Sequence, residues 1–221
     1  MPQNIVHTPT FLTLLGGAPT HFRHIKQALK LAPILVAADG GADTALAAGV
    51  VPDAVIGDMD SISPAAQDKI TDNALHFIAE QDSTDFAKCL RSVEAPAILA
   101  LGFSGGRLDH QLAACTTLVQ FPDKIVLMLT DEDVCFLCPD LLDIDLPAGT
   151  RVSLFPMGEV QGQGEGLKYP IDGLTFTPAG QVGTSNEVTG PLRLQFDTRQ
   201  MLVIIPRDHL EDILNTLCSA N

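Results

Sequence analysis

AVIGDMDSISP, residues 54–64, joins a short apolar run to a glycine and two acids that are separated by one residue. The run AVI has no polar alternation, which is typical of a strand buried on both faces of a parallel sheet. Ser63 followed by Pro64 is typical of a helix start, with serine as N-cap and proline in the first turn. A strand, a polar loop and a helix in this order predict one repeat of an α/β fold.

The same alternation continues from Phe11 to about Pro139. The apolar runs are FLTLL, ILVAA, AVI, HFIA, AILAL and KIVLML. Helical spacing of apolar residues begins near Thr20 or His21, near Thr84 and at Arg107. We therefore predict an α/β N-terminal domain with a mostly parallel sheet over residues 1–146.

After about Pro147, glycine and proline become frequent and the apolar runs become short. These runs are RVSLFPM, LTFTP, LRLQF and MLVIIP. They predict a C-terminal antiparallel β-sandwich domain over residues 147–221. The last stretch, DHLEDILNTLC, predicts a closing helix with four apolar residues on one side, namely Leu210, Ile213, Leu214 and Leu217.

Composition excludes several classes of partner. The chain of 221 residues has 27 acidic and 13 basic side chains, a formal net charge of −14, so we expect no nucleic-acid partner. The apolar runs are too short to span a bilayer and the first ten residues do not resemble a signal peptide, so we expect a cytoplasmic protein with no membrane partner. The five cysteines are an odd number, which argues against a disulfide framework. Cys135 and Cys138 lack a second pair of ligands nearby and are interpreted as part of a half-buried strand.

Polar clusters follow five successive predicted strands. They are Gly16–Gly17, Asp39–Gly41, Asp58–Asp60, Gln81–Asp85 and the segment from Gly102 to His110. Ligands of α/β proteins bind at the carboxyl ends of the strands, so these clusters are candidate site residues. Single clusters also have structural explanations: glycine pairs in turns, Asp39 as a helix cap, and Asp82 or Ser83 as a cap of the next helix.

The pair Asp58 and Asp60 is harder to explain as a cap. Residues two apart in an extended backbone share a face, and two carboxylates so close repel each other unless a cation or a shared proton neutralises them. Mg²⁺ is typically held by one or two carboxylates together with substrate phosphates, and Asp85 adds a further oxygen ligand. A magnesium site therefore predicts a phosphate-binding segment nearby.

GGRLDH, residues 105–110, is the candidate for that segment. Its glycines allow close approach of an anion, the following helix N-terminus offers free N–H groups, and Arg107 can bind phosphate oxygens in a bidentate manner. A capped helix with a local ion pair between Arg107 and Asp109 is the structural alternative. The chain contains neither a P-loop motif nor the dinucleotide-binding glycine motif.

Taken together, these motifs resemble those of the thiamine pyrophosphokinases. The matching segments are ADGGAD (38–43), PDAVIGDMDSIS (52–63), QDSTDFAKCL (81–90), GGRLDH (105–110), GLKYPI (166–171) and TSNE (184–187). The resemblance implies transfer of a pyrophosphoryl group from ATP to the hydroxyl of thiamine, giving AMP and thiamine diphosphate. It also implies Mg²⁺ as cofactor, ATP as co-substrate, and a homodimer with active sites between the subunits.

The resemblance also implies roles for individual residues. Those with a catalytic role are Asp58, Asp60, Asp85, Arg107 and Asp109, and the first three of them would also hold Mg²⁺. Residues on the ATP side are Asp39, Gly40, Gln81, Thr84, Lys88, Gly105, Gly106 and His110, with Asp39 also associated with the metal. Tyr169, Ser185 and Asn186 would bind thiamine. A tryptophan is frequent in the family at the position of Tyr169, so weaker stacking on the cationic ligand is expected here.

Two other functions stay open at this point. The D-x-D-S pattern is also similar to that of haloacid-dehalogenase-like phosphatases, in which the first aspartate is a nucleophile, although GGRLDH has no role there. A non-catalytic sensor of a nucleotide or of thiamine is the second alternative. Such a sensor would bind tightly without turnover.

Overall fold

The computed structural model describes residues 4–219, so residues 1–3 and 220–221, at the outer ends of the two predicted domains, lie outside the description. The chain forms two compact units. The first comprises residues up to Thr117 together with Met128–Asp131, and the second comprises Leu118–Leu127 and the residues from Glu132 onward. Within residues 4–219, no helix is long and apolar enough to cross a lipid bilayer.

The first unit alternates strands and helices. Its strands are β1 (Val6–His7), β2 (Leu12–Leu15), β3 (Ile34–Ala38), β4 (Ala54–Gly57), β5 (Leu75–Phe77), β6 (Val93–Glu94) and β7 (Ile98–Leu101). Its helices are α1 (Phe22–Leu31), α2 (Gly41–Ala47), α3 (Pro64–Gln67) and α4 (Asp85–Ser92), with a 3-10 turn at Asp72–Ala74. Two elements, α5 (Leu108–Gln120) and β8 (Val126–Leu129), contribute residues to both units.

The main sheet of the first unit is parallel, in the order β7-β2-β3-β4-β5. Leu14 of β2 pairs with Val36 of β3 on one side and with Ala100 of β7 on the other. Every residue of β2, β4 and β7 is buried, which explains why these runs lack polar alternation. The parallel part of the predicted fold is therefore present, and its strand ends lie where the polar clusters were expected.

Two helix starts follow the rules used in the sequence analysis. Ser63 caps α3, since its Oγ accepts a hydrogen bond from Ala66 N at 3.2 Å. Thr84 caps α4 by accepting from Ala87 N at 3.2 Å, so the interpretation of Asp82 or Ser83 as that cap is wrong. The N-cap residue of α2 is Gly40, which has no side chain to form a capping hydrogen bond, so the interpretation of Asp39 as a cap is wrong as well.

The second unit is antiparallel. Its strands are β9 (Asp133–Leu137), β10 (Leu142–Ile144), β11 (Arg151–Pro156), β12 (Val160–Leu167), β13 (Thr175–Phe176), β14 (Gly183–Phe196) and β15 (Met201–Pro206). A 3-10 turn at Arg207–His209 leads into α6 (Leu210–Ser219). The antiparallel pairs are β9–β15, β15–β11, β11–β14, β14–β12, β12–β13 and β14–β10.

Several details of this unit depart from or extend the sequence analysis. Strand β12 was not predicted, because VQGQGEGL has three glycines and reads as a loop until the long strand β14 pairs with it. Strands β9 and β10 precede residue 147 but pair with strands that follow it, so antiparallel pairing begins before the predicted boundary. Cys135 lies within β9, as predicted, but Cys138 lies just after it, and four of the five strand residues are buried, so the prediction of a half-buried strand with both cysteines is only partly confirmed. The four apolar residues of α6 are buried, which confirms the predicted face of the closing helix.

Candidate functional site

The carboxyl ends of three neighbouring parallel strands lie in close contact. A Cβ added to Gly41, after β3, would lie 2.0 Å from Leu15 O at the end of β2. A Cβ added to Gly57, at the end of β4, would lie 2.9 Å from the Cβ of Asp39. Glycine at these two positions therefore lets the backbones of the loops touch, and the polar side chains that follow the strands converge.

Asp39, Asp58 and Asp60 form an acidic cluster at these strand ends. Each contributes one carboxylate oxygen, and the three oxygens lie within 4.8 Å of one another. Within residues 4–219, this is the one group of three histidine, cysteine or acidic side chains close enough to share a metal ion. Asp39 and Met59 have φ angles of 43° and 59°, a left-handed conformation that costs energy in non-glycine residues. The loops after β3 and after β4 thus each contain a strained residue at the cluster.

Two carboxylate oxygens of this cluster have an incomplete set of partners. Asp39 Oδ2 accepts a hydrogen bond from Ser61 N at 3.2 Å, and Asp58 Oδ2 accepts from Gln81 Nε2 at 2.7 Å. The other oxygens, Asp39 Oδ1 and Asp58 Oδ1, are buried and have no hydrogen-bond partner among the residues that the structure describes. Buried anionic oxygens without donors are costly, and a hard divalent cation would satisfy them. The donor set therefore fits Mg²⁺.

The two central acids differ in their proton affinity. Burial raises the pKa of Asp39 to about 6, opposed by the hydrogen bond from Ser61 N and reinforced by the charges of Asp85 and Asp60. The hydrogen bond from Gln81 lowers the pKa of Asp58, which burial opposes and Lys88 supports. Asp58 is therefore a fixed anion, whereas ionisation of Asp39 weakens the fold when no cation is bound.

Asp39→Asn is expected to stabilise the metal-free protein. Because the native pKa of Asp39 lies above the ordinary value of 3.8, the native state of the wild type loses stability as pH rises through the interval from 3.8 to about 6. The variant lacks this loss, so its free energy of unfolding above pH 6 should be higher by about 1–3 kcal/mol. Urea unfolding with a chelator at about pH 5 and about pH 8 measures it, and an equal difference at both pH values would contradict the assignment.

Lys88 is buried next to the acidic cluster and is 2% exposed. Its Nζ lies 2.9 Å from Asp85 Oδ1 and 3.3 Å from Asp58 Oδ2. Burial works to lower the pKa of Lys88, but the hydrogen bonds and charges of Asp85 and Asp58 outweigh it, so the pKa is raised. The structure thus places Lys88 as an internal counter-charge for the acids, rather than with its ammonium group at the surface.

Asp85 has a different place from the one predicted for a third metal ligand. Its carboxylate accepts the hydrogen bond from Lys88, whereas Asp39 is the residue that shares the cluster with Asp58 and Asp60. Sequence spacing could not distinguish these two acids, because each follows a strand end at the same edge of the sheet. Asp85 remains a predicted catalytic residue.

Asp43 was missed in the sequence analysis, although it lies within the ADGGAD motif. Its Oδ2 accepts a hydrogen bond from Ser63 N at 2.9 Å, and its Oδ1 accepts one from Ser63 Oγ. Helix α2 thereby holds the far end of the loop that carries Asp58 and Asp60. The signal available in the sequence was the spacing of four residues from Asp39, which places Asp43 one helical turn further on.

Asp43→Ala should loosen this loop. Loss of both hydrogen bonds to Ser63 is expected to lower the free energy of unfolding by about 1–3 kcal/mol. Asp43→Asn keeps an acceptor for Ser63 N and should lose less. Urea unfolding of both variants tests this order, and a larger loss for asparagine than for alanine would contradict it.

The segment around Gln81 is held by a second small network. Arg91 Nη2 contacts Glu80 Oε1 and lies 2.8 Å from Ser83 Oγ, and Ser83 Oγ also donates to Glu80. This network ties the loop before α4 to the helix itself. Gln81 and the cap residue Thr84 lie within or beside this segment, so both predicted ATP-side residues belong to an ordered loop next to Asp58.

The GGRLDH segment lies at the start of α5 and is exposed. Arg107 Nε and Nη2 lie 3.1 and 2.6 Å from the two carboxylate oxygens of Asp109, so the ion pair is bidentate. The hydrogen bonds that Arg107 donates to Asp109 raise the pKa of Arg107 and lower the pKa of Asp109. Gly105 has a φ of 78°, and the His110 N–H donates to Asp109 Oδ1. The pair uses Nε and Nη2, so Nη1 of Arg107 remains for the predicted contact with phosphate oxygens.

The residues predicted to bind thiamine lie together in the second unit. Tyr169 follows β12 and is 59% exposed, while Ser185 is exposed on β14 with a φ of 60°. Asn186 is 6% exposed and its amide contacts the backbone of Tyr169. Asn186 thus contacts Tyr169 directly, and Ser185 is its neighbour in the chain.

Comparison with known proteins agrees with this arrangement. Residues 25–129 match the family model "Thiamin pyrophosphokinase, catalytic domain", and residues 142–203 match "Thiamin pyrophosphokinase, vitamin B1 binding domain". Thiamine pyrophosphokinase of Bacillus subtilis is 31% identical over 165 residues, covering 69% of this chain and 77% of the relative. This chain belongs to the thiamin pyrophosphokinase family.

Two further relatives show how much of the chain is similar to known proteins. Thiamine pyrophosphokinase 1 of Oryza sativa subsp. japonica is 30% identical over 156 residues, covering 62% of this chain and 59% of the rice protein, so the match spans less than two thirds of that relative. The structure of yeast thiamin pyrophosphokinase superimposes with a TM-score of 0.76 at 19% identity, covering 96% of this chain and 91% of the yeast chain. The latter likeness concerns the fold alone. The acidic cluster falls within the region matched by the catalytic model, and Tyr169, Ser185 and Asn186 fall within the region matched by the vitamin B1 binding model.

Proposed function

We propose that this family member is a thiamine pyrophosphokinase, which transfers the pyrophosphoryl group of ATP to the hydroxyl of thiamine and releases AMP and thiamine diphosphate. The observation that carries the proposal is the cluster of Asp39, Asp58 and Asp60 within the region that matches the catalytic family model. Three converging acids suit a reaction whose substrate brings a highly charged triphosphate and its metal ion. The names of the bacterial and rice relatives support the same substrate.

Magnesium dependence is part of this proposal. Asp39, Asp58 and Asp60 would hold the ion, because two of their buried oxygens have no hydrogen-bond partner among residues 4–219. When bound, Mg²⁺ supplies positive charge that offsets the charge of the triphosphate. Asp85 was predicted to be a ligand, and its contact with Lys88 supports a role in fixing Asp58 instead.

The chain's own residues then have mainly positioning roles. Gln81 orients Asp58 through its hydrogen bond of 2.7 Å, and Lys88 keeps Asp58 and Asp85 in place. We assign the N–H groups of Gly105 and Gly106, with Arg107 and His110, to the phosphate oxygens. The Gly105 N–H would then exchange its hydrogen bond of 3.3 Å to Gln111 Oε1 for a phosphate oxygen. Asp109 would orient Arg107 through their bidentate ion pair, with Nη1 of Arg107 left for the phosphates. Positioning of an alcohol in line with the β-phosphorus is the main demand of such a transfer.

The finer features of the fold and assembly belong to the same proposal. Strand β14 pairs with β11 through its first part and with β12 and β10 through its second part, which supports a β-sandwich that shares this strand between two sheets. Leu108 and Leu112, one turn apart on α5, are 69% and 58% exposed and support a homodimer that covers them. A cytoplasmic location is also proposed, and it is supported by the five cysteines, all of which are free.

An assay with ATP, Mg²⁺ and thiamine, with the products separated by chromatography, tests the proposal. Equal amounts of AMP and thiamine diphosphate are expected. Release of phosphate from simple esters would favour the phosphatase alternative. Tight binding of ATP and thiamine without any product would favour the sensor alternative, and either result would overturn the proposed activity.

A further inference from the structure

Asn186 is a buried polar residue whose side-chain amide contacts only backbone groups. Its Oδ1 accepts hydrogen bonds from Tyr169 N at 3.0 Å and from Glu187 N at 2.9 Å. Its Nδ2 donates to Tyr169 O at 2.7 Å. The amide thus bonds both backbone groups of Tyr169, as a paired strand residue would do.

The local geometry of β14 directs this amide inward. Gly183 pairs with Leu154 and Asn186 with Val152, so Thr184 and Ser185 oppose Ser153 alone and form a β-bulge. Ser185 takes a φ of 60° there, and its N–H donates to Ser153 Oγ at 3.0 Å. The bulge leaves Ser185 exposed and Asn186 buried.

The segment that carries Tyr169 is also fixed from its own strand. Gly166 in β12 has a φ of 76°, and a Cβ added there would lie 2.2 Å from Pro191 O. Lys168 N donates a hydrogen bond to Glu187 O at 2.8 Å. This bond holds the residue that directly precedes Tyr169, whose own backbone is held by Asn186. The backbone of Tyr169 is therefore fixed by hydrogen bonds, although the residue as a whole is 59% exposed.

The exposed ring already faces a positive charge. Lys168 Nζ lies 5.9 Å from the ring centroid of Tyr169 and 3.2 Å from Glu187 Oε2. A ring face that attracts an ammonium group also attracts other organic cations, such as a thiazolium ring. The contribution of the Tyr169 ring to binding affinity is larger when the ring is already held in its binding orientation before the ligand arrives.

We propose that Asn186 is a positioning residue for an aromatic organic cation, acting through Tyr169 and not by direct contact. The inference rests on the proposed function, which makes thiamine that cation. All three partners of the amide belong to the chain's own backbone, and both acceptor sites of Oδ1 are used. Only the second N–H of Nδ2 is left for a ligand, and Asn186 is buried with 6% exposure. Ser185 and Tyr169 are then the residues that touch the substrate.

A double-mutant cycle separates this role from direct binding. Asn186→Ala should raise the KM for thiamine by about tenfold, the effect of losing about one well-placed hydrogen bond, with the KM for ATP unchanged. In a Tyr169→Ala background the same change should have little further effect, because the residue acts through the missing ring. Asn186→Asp, which keeps the acceptor but loses the donor to Tyr169 O, should lie between wild type and alanine. Equal effects in both backgrounds would mean direct contact and would overturn the proposal.

Intrinsic fluorescence gives a second measurement that needs no turnover. Tyr169 is the single tyrosine and the chain has no tryptophan, so tyrosine emission reports this ring alone. Asn186→Ala should lower the emission anisotropy and weaken the quenching by thiamine, whereas the control Gln161→Ala, which loses a hydrogen bond to Thr175 in the same unit, should change neither.

The outcomes distinguish this inference from the proposed function. If the wild type shows quenching and turnover, and Asn186→Ala shows the same quenching and the same KM with only a lower stability, the inference is overturned and the function stands. Quenching that depends on Asn186 in a protein that forms no thiamine diphosphate would support the inference and overturn the function. Wild-type protein with neither quenching nor turnover would overturn both.

Discussion

Asp58→Asn is expected to lower turnover by at least about 100-fold while leaving the fold intact. Asp58 has one oxygen fixed by Gln81 and Lys88 and a second, buried oxygen with no hydrogen-bond partner among residues 4–219. An amide can replace neither the negative charge nor the second acceptor, so affinity for Mg²⁺ should fall together with the rate. Steady-state kinetics and a calorimetric titration with MgCl₂ measure the two effects, and Asp60→Asn should behave in the same direction.

A matched control keeps this result interpretable. Asp72 is an exposed acid of the first unit outside the cluster, and Asp72→Asn removes the same charge from the chain. Its kinetics and Mg²⁺ affinity should equal those of the wild type. Near-normal turnover of a folded Asp58→Asn protein would rule out the cluster as the metal site.

Lys88→Met should destabilise the metal-free protein by about 2–3 kcal/mol. Removal of one partner of a buried ion pair leaves uncompensated charge, here on Asp58 and Asp85. The estimate lies below the usual range because the carboxylate side chains are 12% and 36% exposed, so solvent stabilises part of their charge. Saturating Mg²⁺ should restore part of the loss, since the cation supplies charge next to Asp58.

Urea unfolding with a chelator and then with Mg²⁺ measures both parts of this prediction. Lys26→Met, a change of an exposed lysine in the same unit, is the matched control and should leave the free energy of unfolding nearly unchanged. A Lys88→Met protein as stable as the control would mean that the lysine is not needed to balance the acids. If Mg²⁺ does not reduce the loss of stability in Lys88→Met, the charge of Lys88 does not act on the cation site.

Much of the parallel unit could be predicted because its signals are local. AVI, ILVAA and FLTLL are buried strands, and Ser63 with Pro64 starts α3. The convergence of Asp39 with Asp58 and Asp60 was harder to predict from the sequence. It depends on left-handed backbone at Asp39 and Met59 and on close contacts at Gly41 and Gly57, which form only after the sheet has assembled.

The features that could not be predicted depend on partners distant in sequence. Strand β12 exists because β14 pairs with it, and its glycines gave no strand signal. Asp43 and Lys88 belong to the site through Ser63, Asp58 and Asp85, so their roles appear only from side-chain geometry. The resemblance to the family suggested that Asn186 binds the substrate, whereas its three hydrogen bonds show an amide engaged with backbone.

The most direct test of the account is the fate of ATP labelled at the β-phosphorus with radioactive phosphate. The protein is incubated with the labelled ATP, Mg²⁺ and thiamine, and the products are separated. Pyrophosphoryl transfer predicts that the label leaves the nucleotide and appears in thiamine diphosphate, in an amount equal to the unlabelled AMP. Label retained in ADP beside thiamine monophosphate, or label that never enters a thiamine product, would contradict the proposed reaction.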